Sequence, residues 1–234
     1  MFDSFIGPRS DRPRTSPTAR SSAVIAWKHR TVPTTVSDLV DAAGLSLAET
    51  VRWRGRVRLE TPGAYVVART SDPSALLPVQ EADISLAAVN ELLDARPELL
   101  LDGHRPTPEL LAARLSSLWI ADETVVYIGL AGTSVRSRVG AYYRTPLGAR
   151  RPHSGGWFVK TLTDIDALWV HVARAADPTK AEGEMLARFC ASVSRTSLER
   201  LHDAAHPFPF ANLEWPRGTR KRHGITGARE SGCR

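Results

Sequence analysis

Cysteine is nearly absent from this chain. Cys190 and Cys233 are its only two, and they are not near each other in sequence. That excludes a disulfide scaffold and a Cys-rich zinc site, and it fits a reducing cytoplasm. Long apolar runs are also missing, so no segment reads as a bilayer span. The opening residues, MFDSFIGPRSDRPR, have no apolar stretch of the kind a secretory signal needs. A cytoplasmic protein with no membrane partner is expected. Lysine is scarce beside arginine, as a GC-rich coding sequence would produce. The net charge of +6 is therefore explained by composition as readily as by a nucleic-acid partner. A more informative absence is local. Between Thr124 and Thr163 there is no Asp or Glu, while Arg136, Arg138, Arg144, Arg150, Arg151 and Lys160 lie there.

What is present is ordinary globular material. The chain has 234 residues, 42% of them hydrophobic and 24% charged, enough for one sizeable core with extensions. Residues 1–22 are rich in Pro, Ser and Arg and read as a flexible basic tail. Residues 23–59 form an N-terminal extension, with a short helical preface over 36–54. GAYVVA (63–68) follows a Pro-Gly turn and reads as a strand. From 84 to 119 the period is helical: Leu86, Val89, Leu92 and Leu93 recur on one face. Thr107, Pro108 and Glu109 then open a second helix. TVVYIGL (124–130) and ALWVHVA (167–173) read as strands. SVRSRVGAYY (134–143) reads as a helix capped by Ser134, and AEGEMLARFC lies on one opened by Asp177 and Pro178. Residues 216–234, with RGTRKRHG, read as a polar basic tail.

GAY (63–65) and YIG (127–129) stand on two strands expected to pair. They are followed in order by an arginine-bearing helix, His153 in PHSGGW, a third strand, the AEGEML helix and Asn212 in FANLEW. This order resembles the GIY-YIG nuclease superfamily over roughly residues 60–215. The resemblance implies an α/β (α+β) fold: a small central antiparallel sheet of about three strands flanked by helices. A helical insertion over about 69–123 separates the first two strands. Here the chain departs from the family pattern, whose two tripeptides are usually close. It also has Leu130 where many members carry a lysine after YIG, which puts lysine-assisted activation of a tyrosine in doubt.

The residues can be weighed without the family. On a helix advancing about 100° per residue, Met185, Leu186 and Phe189 share the side of Glu182, while Glu184 faces away. A carboxylate on an apolar stripe needs a compensating cation or hydrogen bonds. Arg138 shares a face with Val135 and Tyr142, and Arg136 points elsewhere. Strand alternation puts Val125, Tyr127 and Gly129 on one face and Val126, Ile128 and Leu130 on the other. His171 reads as a packed histidine. Glu199, nearer to Asn212, has polar helical neighbours, which leaves Glu182 as the preferred acid.

The resemblance implies hydrolysis of a phosphodiester. Glu182 would hold Mg²⁺ (or Mn²⁺), with waters completing the site. The cation and Arg138 would stabilise phosphate charge. Tyr65 or Tyr127 would act as general base, supported by Tyr142 and His153. Asn212 would orient a phosphate or cap the site. Arg136, Arg144, Arg150, Arg151 and Lys160 would track the nucleic-acid backbone. DNA is the expected partner, with RNA left open. The alternative is a non-catalytic nucleic-acid-binding module on the same fold. One such site cuts one strand, so a double-strand cutter requires two protomers, as in a homodimer, or two sequential nicks.

Overall fold

The computed structural model describes residues 33–149, 156–215 and 217–227. The tail at 1–22, and Arg150, Arg151 and His153, lie outside the described residues. The fold is mixed α/β, with six α-helices and a four-stranded antiparallel sheet among the described residues.

The sheet is built from β1 (Leu47–Arg52), β2 (Gly63–Ala68), β4 (Val125–Ala131) and β5 (Trp169–Arg174), in the spatial order β1-β5-β2-β4. Its fourth strand corrects the sequence reading of 36–54 as helical throughout. Only α1 (Val36–Ala42) is helix, closed at its start by a reciprocal Thr35–Asp38 capping box. LAETVR then pairs along β5, from Leu47 opposite Ala173 to Arg52 opposite Trp169. The alternation that a strand shows is blurred here because β1 is an edge strand, and most of its side chains are half-buried.

Both faces of the sheet are covered. One face carries Tyr65, Val67, Val126, Val170 and Val172. It packs against α4 (Val135–Arg144) and the insertion, which supplies α2 (Leu86–Ala95), β3 (Leu100–Leu101) and α3 (Pro108–Ser116). The insertion buries Leu92, Leu93, Leu111 and Leu115 in this core, so it is a packing cap over the sheet. The other face carries Ala64, Val66 and Ile128, covered by α1 and by α5 (Pro178–Ser192) through Met185, Leu186 and Phe189. Ser85, Thr107, Ser134 and Asp177 each accept a backbone N–H at a helix start, and Pro108 and Pro178 occupy the first turn.

Alternation along β4 breaks once. Val67 pairs with Tyr127 but Ala68 pairs with Val125, so a bulge falls at Val126. Val125 consequently joins Ile128 on the α5 side, and Val126 joins Tyr127 on the α4 side. The expected grouping of Val125 with Tyr127 is corrected, whereas that of Tyr127 with Gly129 holds.

The segment read as a C-terminal basic tail is packed over 217–227. β6 (Ile225–Thr226) pairs with β3, and Lys221 is 3% exposed. Its ammonium donates to the carbonyls of Phe208, Pro209 and Phe210. Three carbonyl acceptors satisfy the three donors of a buried lysine. The short α6 (Arg195–Arg200) ends the helical part, and its Glu199 pairs in solvent with Arg195 at 2.9 Å.

One buried acid lies away from these features. Glu123, just before β4, is 4% exposed, and its Oε2 has no hydrogen-bond partner. Burial raises its pKa from 4.5 to about 8, with Asp122 adding to the rise and Arg188 and a backbone N–H opposing it. Below pH 4.5 the folded and unfolded chains both carry this proton. Between 4.5 and 8 the unfolded chain releases it while the fold keeps it, so stability falls as pH rises. Thermal denaturation at pH 5 and pH 9 is expected to show a smaller alkaline loss for Glu123→Gln than for the wild type. The difference is at most about 5 kcal/mol, from roughly 1.4 kcal/mol per pKa unit.

Candidate active site

The register of β2 and β4 brings the two tripeptides together. Tyr65 lies opposite Gly129, and Tyr127 lies opposite Val67. A Cβ on Gly129 would sit 2.8 Å from the Tyr65 Cζ and Oη and 2.6 Å from the Tyr127 Cε1. Both rings therefore lie over this glycine, and its missing side chain is the space they occupy. The first glycine is constrained too, because a Cβ on Gly63 would meet the Ala173 carbonyl and the Val135 side chain of α4. The ring centroids of Tyr65 and Tyr127 are 5.9 Å apart, and Tyr142 meets Tyr127 edge-on at 5.7 Å. Trp53 packs behind Tyr142 at 5.4 Å.

Burial differs among the three tyrosines. Tyr65 and Tyr142 are each 1% exposed, while Tyr127 is half-buried. The Tyr65 hydroxyl is shielded and has no hydrogen-bond partner. Burial raises the pKa of all three, and those of Tyr65 and Tyr142 rise furthest. For Tyr127 the Glu182 carboxylate adds to the rise and Arg138 opposes it. A polar approach from Tyr65 also lowers Tyr127, although no formed hydrogen bond joins them. Neither tyrosine is thus brought toward neutrality by its surroundings alone.

The acid and the arginine reach this cluster from two helices. Val135, Val139 and Tyr142 anchor α4 in the core, and Arg138 lies beside that stripe. Ala181, Met185 and Phe189 anchor α5, with Glu182 half-buried next to them. Burial raises the Glu182 pKa to about 7, and Arg138 opposes that rise. Glu184 instead reaches Lys180 along the helix at 3.8 Å. Among the described residues, neither Arg138 nor Glu182 is within ion-pair distance of an opposite charge. Arg138 is near enough to lower the Glu182 pKa without forming a contact pair.

Asn212 is spent on the backbone. Its Oδ1 accepts the Ile128 N–H at 2.9 Å, and its Nδ2 donates to the Ile128 carbonyl at 2.7 Å. The Ala211 N–H reaches the Val126 carbonyl at 3.0 Å. Asn212 therefore closes the outer edge of β4, and it positions the strand that carries Tyr127. Both polar ends of the amide expected to orient a phosphate or cap the site are engaged by the strand. Sequence reasoning missed Lys221, whose three bonds brace the carbonyls just before Asn212. Its place in a basic run hid it, and nothing in the local pattern marks it as buried.

The arginines and lysine expected to bind nucleic acid do not share one place. Lys160 caps the end of α4 by donating to the Thr145 and Tyr143 carbonyls, and its charge lies 5.9 Å from the Tyr142 ring centre. Its ammonium, expected to contact a nucleic-acid backbone, is engaged by these two carbonyls. Arg136 and Arg144 lie on the flank of α4 opposite Arg138, and Arg136 pairs with Glu60. His171 is a packed residue: Nε2 donates to the Thr70 carbonyl at 2.8 Å, which leaves Nδ1 to accept from the Thr50 hydroxyl at 3.0 Å.

No family model, curated protein or solved structure matches this chain.

The glycine beneath the rings provides a direct test. Gly129→Ala forces Tyr65 or Tyr127 to move, and a destabilisation of about 1–3 kcal/mol is expected from overpacking. Urea denaturation followed by tryptophan fluorescence measures it. An unchanged midpoint would mean that the rings do not lie over the glycine.

Proposed function

We propose that the chain is a cytoplasmic, metal-dependent endonuclease of GIY-YIG type that hydrolyses phosphodiester bonds of DNA. The observation that carries this reading is that Tyr65 and Tyr127 meet over Gly129, with Arg138 and Glu182 close enough to Tyr127 to act on its charge. Four residues far apart in sequence, from two strands and two helices, meet at one end of the sheet. Ordinary core packing does not call for a half-buried carboxylate, with no ion-pair partner among the described residues, facing an arginine and a half-buried phenol.

The side chains fit one kind of cation. Glu182 is the carboxylate of this cluster, and no group of three His, Cys, Asp or Glu side chains able to hold a metal occurs among the described residues. A transition-metal cage does not match that donor set. Mg²⁺ or Mn²⁺ matches it, because such ions accept one carboxylate and complete their shell with waters and substrate oxygens. Bound there, the ion would supply positive charge to the phosphate and acidify its water.

The chain's own residues divide the remaining work. Glu182 would hold the cation by its carboxylate. Arg138 presents a planar fork to the non-bridging phosphate oxygens as their charge grows. Tyr127 takes the proton of the attacking water, and Tyr65 stands behind it. Tyr127 suits the role better than Tyr65 because it is more exposed and its pKa is less raised. Once the charge of Glu182 is neutralised, the chief polar opponent of its phenolate is removed, and Arg138 still favours it. Tyr142 forms the wall against which Tyr127 rests.

The burial that raises every tyrosine favours a second reading, a nucleic-acid-binding module that does not cut. Incubation with supercoiled plasmid and Mg²⁺ or Mn²⁺ separates the two. The wild type is expected to nick the plasmid, and EDTA to stop it. Glu182→Gln and Arg138→Ala should each cost at least about a hundredfold in rate, the scale of losing one electrostatic contact to the transition state. Tyr127→Phe should cost more than Tyr65→Phe. If the wild type binds but cuts neither DNA nor RNA, the binding module is the correct reading. Equal nicking by Glu182→Gln would remove Glu182 from the mechanism.

A further inference from the structure

The flank of α4 turned away from Arg138 carries Arg136, Gly140, Tyr143 and Arg144. At about 100° per residue these fall on one side of the helix. The loop between β1 and β2 comes down on that side and adds Arg54 and Arg56. Together they line a concavity of about 310 Å³ that has no acidic residue in its wall.

Several independent features shape this concavity for an anion. Arg54 adopts φ 66°, the left-handed region that side chains seldom enter, in a tight turn closed by the Gly55 N–H on the Arg52 carbonyl. This strained residue lies in the wall itself. On the helix, a Cβ at Gly140 would come within 3.1 Å of the Arg144 Nη1, so the bare glycine lets that guanidinium fold back over the helix. The Tyr143 hydroxyl is shielded, its proton has no acceptor, and the Arg54 backbone N–H approaches its oxygen without a formed hydrogen bond; burial keeps it protonated. It is an unspent donor in a basic wall.

The charges are only partly committed. Arg136 pairs with Glu60, and Arg54 lies 3.7 Å from Asp166, but all four side chains are largely exposed. Exposed pairs are weak and yield to a stronger partner. Among the described residues, Arg56 and Arg144 form no ion pair.

We propose that this concavity is a second phosphate-binding site, which grips the backbone of the nucleic-acid strand away from the bond to be cut. Guanidinium forks bind phosphate oxygens in pairs, and a phenol adds a neutral donor. The site lies across α4 from the tyrosine cluster. A helix is about 10–12 Å wide, roughly three nucleotide steps at about 3.4 Å each along one strand. One strand can thus cross the helix with one phosphate at Arg138 and another in this pocket. The proposal rests on the nucleic-acid reading of the tyrosine site, and it assigns the β1–β2 loop to substrate binding.

The test uses the full chain carrying Glu182→Gln, without divalent cation, and a fluorescein-labelled DNA duplex. Anisotropy gives the affinity at several salt concentrations. Adding Arg56→Gln with Arg144→Gln should weaken binding at least tenfold. It should also reduce the slope of log affinity against log salt by about two, one per lost phosphate contact. Arg56→Lys with Arg144→Lys should restore the slope, which a merely misfolded variant would not do. Arg195→Gln, on the far α6, should change neither quantity. An unchanged slope in the glutamine pair, or an equal loss from Arg195→Gln, overturns the pocket. Binding of inorganic phosphate or a mononucleotide as tight as that of the duplex also overturns it, in favour of a free small anion. The two readings fail separately. A wild type that cuts DNA, with a glutamine pair that binds normally, removes the pocket alone. A wild type that never cuts, with the slope still falling by two, removes the catalytic reading and keeps the pocket.

Discussion

Pairing of Tyr65 with Gly129 across β2 and β4 is the constraint on which the rest of the site depends. Because strand side chains alternate, a slip of one residue would send Tyr127 to the opposite face of the sheet. There it would meet α5 and the apolar layer of Met185 and Phe189, where a phenol has no role. The bulge at Val126 makes the same point from the other direction. It lets Val125 pack on the α5 side while Tyr127 still faces α4. The glycine then accepts two rings that no other residue would admit. Tyr142 and Trp53 close around them in edge-on contacts, which aromatic quadrupoles favour.

A sheet edge carrying such a residue has to be held. β4 is the last strand in its sheet, so its outer N–H and C=O groups need partners or water. Ala211 and Asn212 supply them, and Asn212 does so with both ends of one amide. A carboxylate could accept there but not donate, and an aliphatic chain could do neither. Lys221 holds the preceding turn by its carbonyls. The order of dependence runs from a buried lysine to a loop, from the loop to a strand edge, and from the strand to Tyr127. Residues well beyond the sheet thus contribute to the candidate site without touching it.

That chain of support was largely illegible in the sequence, for a physical reason. Helix starts are local, and Thr107, Ser134 and Asp177 could be read because a cap and its helix are a few residues apart. The phase of Glu182 against Glu184 was equally local, since helical periodicity decides it. β1 was missed because its pattern is that of an edge strand, and its identity comes from pairing with β5 more than a hundred residues later. The bulge at Val126 is a compromise between two cores and has no signature in TVVYIGL. Lys221 reads like its neighbours Arg220 and Arg222, and only the fold distinguishes it. The contacts of Lys160 were hidden for the related reason that its carbonyl partners end a helix in a different segment. Motif residues were legible, whereas the contacts that commit a charge to structure were not.

The balance of charge in the tyrosine cluster bears on what it can bind. Arg138 is its cation and Glu182 its carboxylate, and neither is closely paired. A phosphodiester entering beside them brings one more negative charge. With Glu182 ionised, two negative charges would then face one positive charge at a partly desolvated carboxylate, which is unfavourable. Protonating Glu182 would restore neutrality but would remove the carboxylate proposed to hold a cation. The proposed divalent cation would resolve the conflict, because it would keep Glu182 ionised and leave the loaded site with a net positive charge. Burial has already raised Glu182 to about 7, so a modest electrostatic gain decides its ionisation near neutral pH. A monovalent cation would bring the count only to zero, with no surplus to meet the charge that develops on the phosphate. On the proposed nuclease reading, the half-buried position of Glu182, costly for the empty protein, would couple cation and substrate, since each would make the other easier to bind.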